Sequence, residues 1–175
     1  LENLRHALIE GEHWQQLAYL DLSYSTAGRR AEIRQFKKEI ADYSPNKKGF
    51  YVTHDVRAKG RGKQGKVRQL YFSQQAMDSL KKWLEVRGED DCEYIFVTNT
   101  KDGIKQVGET TFNNWCSGLF TEIVGRRVHC HLLRSSRATN LVVNEGKDIN
   151  SAKNLLGHES SQTTEIYVIR DEAES

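Results

Sequence analysis

The hydrophobic positions near the start of the chain repeat at the three- and four-residue spacing of amphipathic helices. The positions that carry this pattern are Leu4, Leu8, Ile9, Trp14, Leu17, Ala18 and Leu22. They predict two helices before residue 26. The run Thr26-Ala27-Gly28 ends the second helix, and a third short helix is expected from Arg29 to Phe36.

The middle of the chain is rich in residues that favour β-strands. Residues 49–56 and 66–72 carry Val, Tyr and Phe, and the stretch 58–65 between them holds Gly60, Gly62 and Gly65. This pattern predicts an antiparallel hairpin with a long, flexible and basic connection. Ser73 is expected to cap a helix that reaches about Val86. A short buried strand is expected at Tyr94–Val97.

The rest of the chain returns to helical patterns. The predicted helices run over Thr110–Ile123, Leu132–Val143 and Asp148–Leu156, and a last one begins near Ser160. We therefore predict a single domain over residues 1–175. It is mainly α-helical with a small antiparallel β-sheet, which is an α+β fold.

Composition excludes some classes of protein. Hydrophobic residues make up 37% and charged residues 29% of the chain, as in ordinary globular proteins. No stretch approaches the roughly 20 apolar residues that span a bilayer, so no membrane association is expected. Cys92, Cys116 and Cys130 lack paired spacing, which favours a reducing, cytoplasmic location. His129, Cys130 and His131 are consecutive, and adjacent residues on a strand or helix point in different directions, so no metal site is expected.

The charge is unevenly distributed along the chain. The formal net charge is only +2. Between residues 47 and 68 the one acid is Asp55, and the basic residues are Lys47, Lys48, Arg57, Lys59, Arg61, Lys63, Lys66 and Arg68. A basic patch on a nearly neutral protein is typical of a surface that faces DNA, although a solvated hairpin tip explains the charge equally well.

The C-terminal third carries several polar residues at suggestive spacing. His131 and Arg134 are three residues apart, which places both on one helix face. His158 follows a glycine that is expected to end a helix, and Tyr167 comes nine residues later. Each residue alone is a weak signal, because a single helical His or Tyr usually has a packing role.

Together these residues match a known pattern. The run HLLRSSRATNLVVNEGKDINSAKNLLGHESSQTTEIY resembles the tyrosine recombinase, or phage integrase, family, whose members read H-x-x-R, L-G-H and Y in this order. The family also carries T-G-x-R-x-x-E upstream, and residues 26–32 fit it with Ala27 at the usual glycine position. The resemblance makes Arg29 the first catalytic arginine and Glu32 its acidic support. A one-residue shift would select Arg30 instead, but Arg29 keeps the spacing to Glu32.

The family further places a lysine in a β-hairpin loop. Its K-x-x-K-x-R-x-x-P ending aligns without gaps to residues 63–71, which selects Lys63 and puts Tyr71 at the proline position. Lys59 is the alternative, since Ala58-Lys59-Gly60 resembles the family's G-K-G form, but this alignment requires four extra residues.

The resemblance implies a site-specific recombinase that works without a metal or cofactor. Tyr167 would attack the DNA phosphodiester, form a 3′-phosphotyrosine and release a 5′ hydroxyl. Arg29 and Arg134 would stabilise the extra negative charge of the transition state. Lys63 would protonate the leaving oxygen. His131 would act as acid or base for the tyrosine, and His158 would donate a hydrogen bond to the phosphate.

The resemblance also implies partners and a larger protein. We expect binding to double-stranded DNA and a homo-tetramer on paired DNA sites, with the isolated domain monomeric. The chain is expected to be a fragment of a longer bacterial or phage integrase, without the N-terminal domain that clamps DNA. The expected DNA contacts are Lys59, Arg61, Lys63, Lys66, Arg68 and Arg137. Relaxation of DNA in the manner of a type IB topoisomerase and a catalytically idle DNA-binding module are the competing functions.

Overall fold

The computed structural model describes residues 2–58 and 66–129 of the chain. Three helices come first: α1 (Glu2–Glu10), α2 (Trp14–Thr26) and α3 (Arg30–Ile33). The first two helices confirm the prediction. Helix α3 ends three residues earlier than predicted, because the next turns tighten: Gln35 N–H donates to Glu32 O and Phe36 N–H to Ile33 O, both at 3.1 Å. A 3-10 helix follows at Lys38–Asp42.

Helix α2 occupies the centre of the described part and packs against α1 and α3 and against two elements that come later in the chain. Its Asp21 is buried and serves as a polar anchor. The Asp21 carboxylate accepts two hydrogen bonds from Arg5 of α1, at 2.7 and 3.0 Å, and one from the Ser79 hydroxyl. Because a buried carboxylate requires such partners, Asp21 orients α1 relative to α2.

The predicted hairpin is present, and its strand pairing is divided into two ladders. Strands β1 (Tyr51–Val52) and β4 (Tyr71–Phe72) pair antiparallel at its base, and β2 (Val56–Ala58) and β3 (Lys66–Arg68) pair beyond them. Between the two ladders, Leu70 N–H donates to the Thr53 hydroxyl at 3.0 Å, and Thr53 N–H to Leu70 O at 2.8 Å. The hairpin connection, residues 59–65, lies outside the described residues.

Helix α4 (Gln74–Arg87) confirms the predicted start and end within one residue. The Ser73 hydroxyl accepts a hydrogen bond from Ala76 N–H at 3.3 Å, which is the expected N-cap. Met77 and Leu80 are fully buried against α2. Gly88 follows the helix with φ = 78°, a conformation that glycine adopts readily.

The strand predicted at Tyr94–Val97 is placed wrongly. Tyr94 forms only an isolated bridge with Lys37, and Ile95 and Phe96 are buried without a strand partner. The strand is β5 (Val97–Thr100), which pairs with β6 (Gly103–Gln106) in a second hairpin. The sequence gives no strand pattern here because most residues of this hairpin are exposed on both faces.

The helix predicted over Thr110–Ile123 is present but contains a π-helical turn. It consists of α5 (Thr111–Trp115), the π turn (Cys116–Phe120) and α6 (Thr121–Val124). Directly after the π turn, the Thr121 hydroxyl donates a hydrogen bond to Cys116 O at 2.7 Å. Phe112 and Phe120 both stack on Tyr19 of α2, with ring centroids 4.2 and 6.4 Å away. The aromatic cluster joins α5 and the π turn to the core.

The described part is thus mainly α-helical with small antiparallel sheets, which confirms the predicted α+β class. None of the helices between residues 2 and 129, the undescribed 59–65 aside, is long and apolar enough to cross a membrane. The predicted helices Leu132–Val143 and Asp148–Leu156 and the helix beginning near Ser160 lie outside the described residues.

Candidate active site

The turn between α2 and α3 sets the position of Arg29. Thr26 donates its hydroxyl to Leu22 O at 2.6 Å and accepts a hydrogen bond from Gly28 N–H at 3.0 Å. Ala27 adopts the left-handed conformation, with φ = 53° and ψ = 28°, and ends α2. Arg29 then takes an extended conformation, with φ = −79° and ψ = 156°, as the N-cap residue of α3. The turn therefore places Arg29 at the N-terminus of α3.

Gly28 is needed in this turn because the hairpin packs directly against it. A Cβ atom at residue 28 would lie 3.0 Å from Leu70 Cδ1, 3.0 Å from Thr26 Oγ1 and 3.2 Å from Ile33 Cγ1. These neighbours surround it from three elements, so none can move without disturbing buried packing. The close approach of Gly28 and Leu70 holds the hairpin beside the Arg29 turn.

A fully buried carboxylate, Glu32, connects Arg29 to the hairpin. Its Oε1 atom accepts a hydrogen bond from Arg29 N–H at 2.9 Å. Arg68 of β3 forms a bidentate ion pair with it, Nε to Oε2 at 2.5 Å and Nη2 to Oε1 at 2.7 Å. Burial alone would raise the pKa of Glu32, but the hydrogen bonds and charge of Arg68 outweigh it and hold the pKa below its ordinary value. Glu32 is therefore ionised at neutral pH.

Two further side chains of the Arg29 region bind distant segments. The Gln35 amide exchanges two hydrogen bonds with the backbone of Arg57 in β2, both at 2.9 Å. Arg34 Nε donates to Val107 O at 2.7 Å, and Gln106 Nε2 donates back to Arg34 O at 2.8 Å. A four-residue helix has little stability of its own, so these side-chain contacts hold α3 in place.

The environment of Arg29 differs from that of Arg30. Arg29 is half-buried, whereas Arg30 is exposed. Within residues 2–58 and 66–129, the Arg29 guanidinium has no hydrogen bond or ion pair to another side chain. This arrangement agrees with the predicted register, in which Arg29 and not Arg30 is catalytic. The catalytic assignment itself remains a prediction.

Most of the other predicted site residues lie outside the described part of the chain. They are Lys59, Arg61, Lys63, His131, Arg134, Arg137, His158 and Tyr167. The structure does describe Lys66 and Arg68, which were both expected to contact DNA. Lys66 is exposed, whereas Arg68 directs its guanidinium at Glu32. Sequence reasoning missed this pair, because an ion pair between residues 36 positions apart leaves no local pattern in the sequence.

Comparison with known proteins identifies the family. The chain matches the phage integrase family over residues 1–174 and belongs to it. It is 34% identical over 168 residues to the SPbeta prophage-derived recombinase-like protein YomM of Bacillus subtilis (strain 168), covering 94% of this chain and 50% of YomM. It is 29% identical over 178 residues to tyrosine recombinase XerC of Shewanella sp. (strain ANA-3), covering 98% of this chain and 55% of XerC.

The fold agrees with this assignment. The crystal structure of XerA recombinase matches the chain with a TM-score of 0.74 and 25% sequence identity, over 99% of this chain and 59% of XerA. The chain thus spans about half the length of the curated relatives that it matches. The predicted resemblance and the predicted tyrosine recombinase catalytic-domain fold are both confirmed.

We predict that Gly28→Ala destabilises the chain by about 1–3 kcal/mol, because the added methyl overpacks a site that is closed on three sides. Urea unfolding monitored by circular dichroism measures the change. Gly118→Ala is the control, since a Cβ there meets no atom within 4 Å. Equal stabilities of wild type and Gly28→Ala would show that the hairpin does not pack tightly on this turn.

We predict that Glu32→Gln destabilises the chain at pH 7 by about 3 kcal/mol, because Arg68 loses the charge that compensates its burial. A folded-state pKa below the ordinary value of 4.5 means that the ionised carboxylate contributes stability above that value. This contribution is lost as the pH falls through the folded pKa. The difference in the free energy of unfolding between wild type and Glu32→Gln should therefore narrow below about pH 4.

Urea unfolding at pH 7, 5 and 3 tests this pH dependence. Glu85→Gln provides the control, since Glu85 is an exposed residue of α4. A stability difference between wild type and Glu32→Gln that stays constant from pH 7 to pH 3 would contradict the ionised, paired state of Glu32.

Proposed function

We propose that residues 1–175 form the catalytic domain of a site-specific DNA recombinase that cuts and rejoins strands through a covalent 3′-phosphotyrosine at Tyr167. Membership of the phage integrase family and the names of the recombinase relatives support this class of reaction. One structural observation carries it furthest. Arg29 is half-buried at the N-terminus of α3, its backbone N–H donates to Glu32, and its guanidinium bonds no side chain of residues 2–58 or 66–129.

The proposed reaction needs positive charge more than it needs a cofactor. When the tyrosine oxygen attacks phosphorus, negative charge increases on the non-bridging phosphate oxygens. A guanidinium is always protonated and presents a planar fork of donors, which suits these oxygens. Arg29 and Arg134 would supply two such forks. In this scheme no metal or other cofactor is required.

The remaining polar residues would move protons. Lys63, or alternatively Lys59, would protonate the leaving 5′ oxygen from the hairpin connection. His131 would accept the tyrosine proton, and His158 would donate a hydrogen bond to the phosphate. The pairing of β2 with β3 supports the position of the lysine, because these strands bring both ends of the connection to the α3 side of the molecule.

The substrate in this proposal is double-stranded DNA. Exposed Lys66 would contact the phosphate backbone, together with Lys59, Arg61 and Arg137. Rejoining strands between two DNA sites requires two cuts at each site, so we propose a homo-tetramer on paired sites and a monomer in the absence of DNA. We further propose that the protein acts in the cytoplasm and is of bacterial or phage origin, as the names of its relatives suggest.

The reaction class is tested by trapping the covalent intermediate. We predict that nicked suicide DNA carrying the attachment site of the element gives a covalent protein–DNA band with the wild type and none with Tyr167→Phe. A denaturing gel detects the band. Absence of the band from the full-length protein on its own site would contradict catalysis and favour an idle DNA-binding module. Relaxation of supercoiled DNA without joining of paired sites would favour the topoisomerase function.

The register of the first arginine is tested separately. We predict that Arg29→Ala slows formation of the covalent band by roughly 100- to 1,000-fold, the usual loss for one preorganised donor to a transition state. Arg30→Ala should leave the rate near that of the wild type, because Arg30 is exposed at the neighbouring position. The reverse result would move the catalytic role to Arg30.

A further inference from the structure

Strand β3 carries two basic residues whose environments differ. Lys66 and Arg68 are two positions apart and therefore lie on the same face of the strand. Lys66 is exposed. The Arg68 side chain is only 16% exposed and forms the bidentate ion pair with the fully buried Glu32. A cation held in this way cannot turn towards a DNA phosphate without leaving a buried carboxylate unpaired.

We propose that Arg68 is a positioning residue that acts through Glu32 on Arg29, and is not one of the DNA contacts. This inference rests on the proposed function for its effect on catalysis. The structural basis of the inference is the set of contacts among Arg29, Glu32 and Arg68.

The coupling follows from how the Glu32 oxygens are shared. Oε1 accepts hydrogen bonds both from Arg29 N–H and from Arg68 Nη2, and Oε2 accepts from Arg68 Nε. The guanidinium therefore fixes the plane of the carboxylate, and the carboxylate fixes the amide at the head of α3. Without the Arg68 side chain, the Glu32 carboxylate can rotate, and the Arg29 N–H loses an acceptor of defined position.

The same contact determines the distance between two parts of the proposed active site. Arg29 is the N-cap residue of α3, and Arg68 is the last residue of β3. Catalytic groups must be held within a fraction of an ångström to act together. One ion pair between these elements therefore fixes the N-terminus of α3 relative to β3.

The experiment compares Arg68→Met with Lys66→Met and with the double variant Glu32→Met/Arg68→Met. The double variant keeps the fold testable, because apolar replacement of both members of a buried ion pair is often neutral for stability. Two quantities are measured for each protein. The first is the affinity for a short mixed-sequence DNA duplex as a function of salt. The second is the rate of covalent band formation on suicide DNA at saturating protein.

We expect Lys66→Met to weaken DNA binding and to lower the salt slope by about one, as for the loss of one phosphate contact. Arg68→Met should leave the salt slope unchanged but slow covalent band formation at least tenfold, since small misplacements of catalytic groups are costly. The double variant should fold with near wild-type stability, keep the wild-type salt slope and remain slow.

Two results would overturn the inference. A salt slope lowered by Arg68→Met as much as by Lys66→Met would make Arg68 a DNA contact. A wild-type cleavage rate in the double variant would make the pair purely structural. Failure of the proposed function is a separate outcome: the wild type would form no covalent band, and the salt slopes would still decide whether Arg68 contacts DNA.

Discussion

A carboxylate that is completely removed from water must either be neutralised by a partner or lose its charge. In this chain the partner of Glu32 is Arg68, a residue 36 positions away. The requirement for neutralisation therefore acts as a long-range constraint: α3 cannot form in its observed place unless the hairpin has also formed. Glu32 also accepts the Arg29 amide, so the local geometry of the proposed catalytic arginine depends on a distant strand.

A second buried carboxylate has the same effect elsewhere in the core. Asp21 joins α2 to Arg5 of α1 and to Ser79 of α4. The described part of the chain thus contains two buried carboxylate anchors, one on α2 and one on α3, surrounded by apolar packing. Apolar contacts supply most of the stability of a core but are not directional. The hydrogen bonds of a buried carboxylate, in contrast, require particular donors in particular directions. The anchors explain why short elements such as α3 and β3 take defined positions.

The sequence predicted those features whose signals are local. The apolar positions of α1 and α2 repeat about once per helical turn, the cap at Ser73 bonds a residue three positions on, and the hairpin has strong β-formers on both arms. The hairpin of β5 and β6 was missed because its residues are polar and exposed. The spacing from Arg29 to Glu32 came from the family resemblance, but the Glu32–Arg68 contact could not, because ion pairs between distant strands and helices leave no periodic pattern.

The π turn in the last described helix has a consequence for packing. In a regular α-helix, residues eight positions apart differ in direction by about 80°, so Phe112 and Phe120 would point to different sides. One residue accommodated in the π turn reduces this difference to about 20°, and both rings reach Tyr19. The π turn at Cys116–Phe120 thus replaces regular α-helical hydrogen bonding, and Phe112 and Phe120 point to the same side of the helix. The extra residue is thus absorbed within the turn, and deletion of one residue there would leave a regular α-helix in which the two rings, then seven positions apart, still point to the same side.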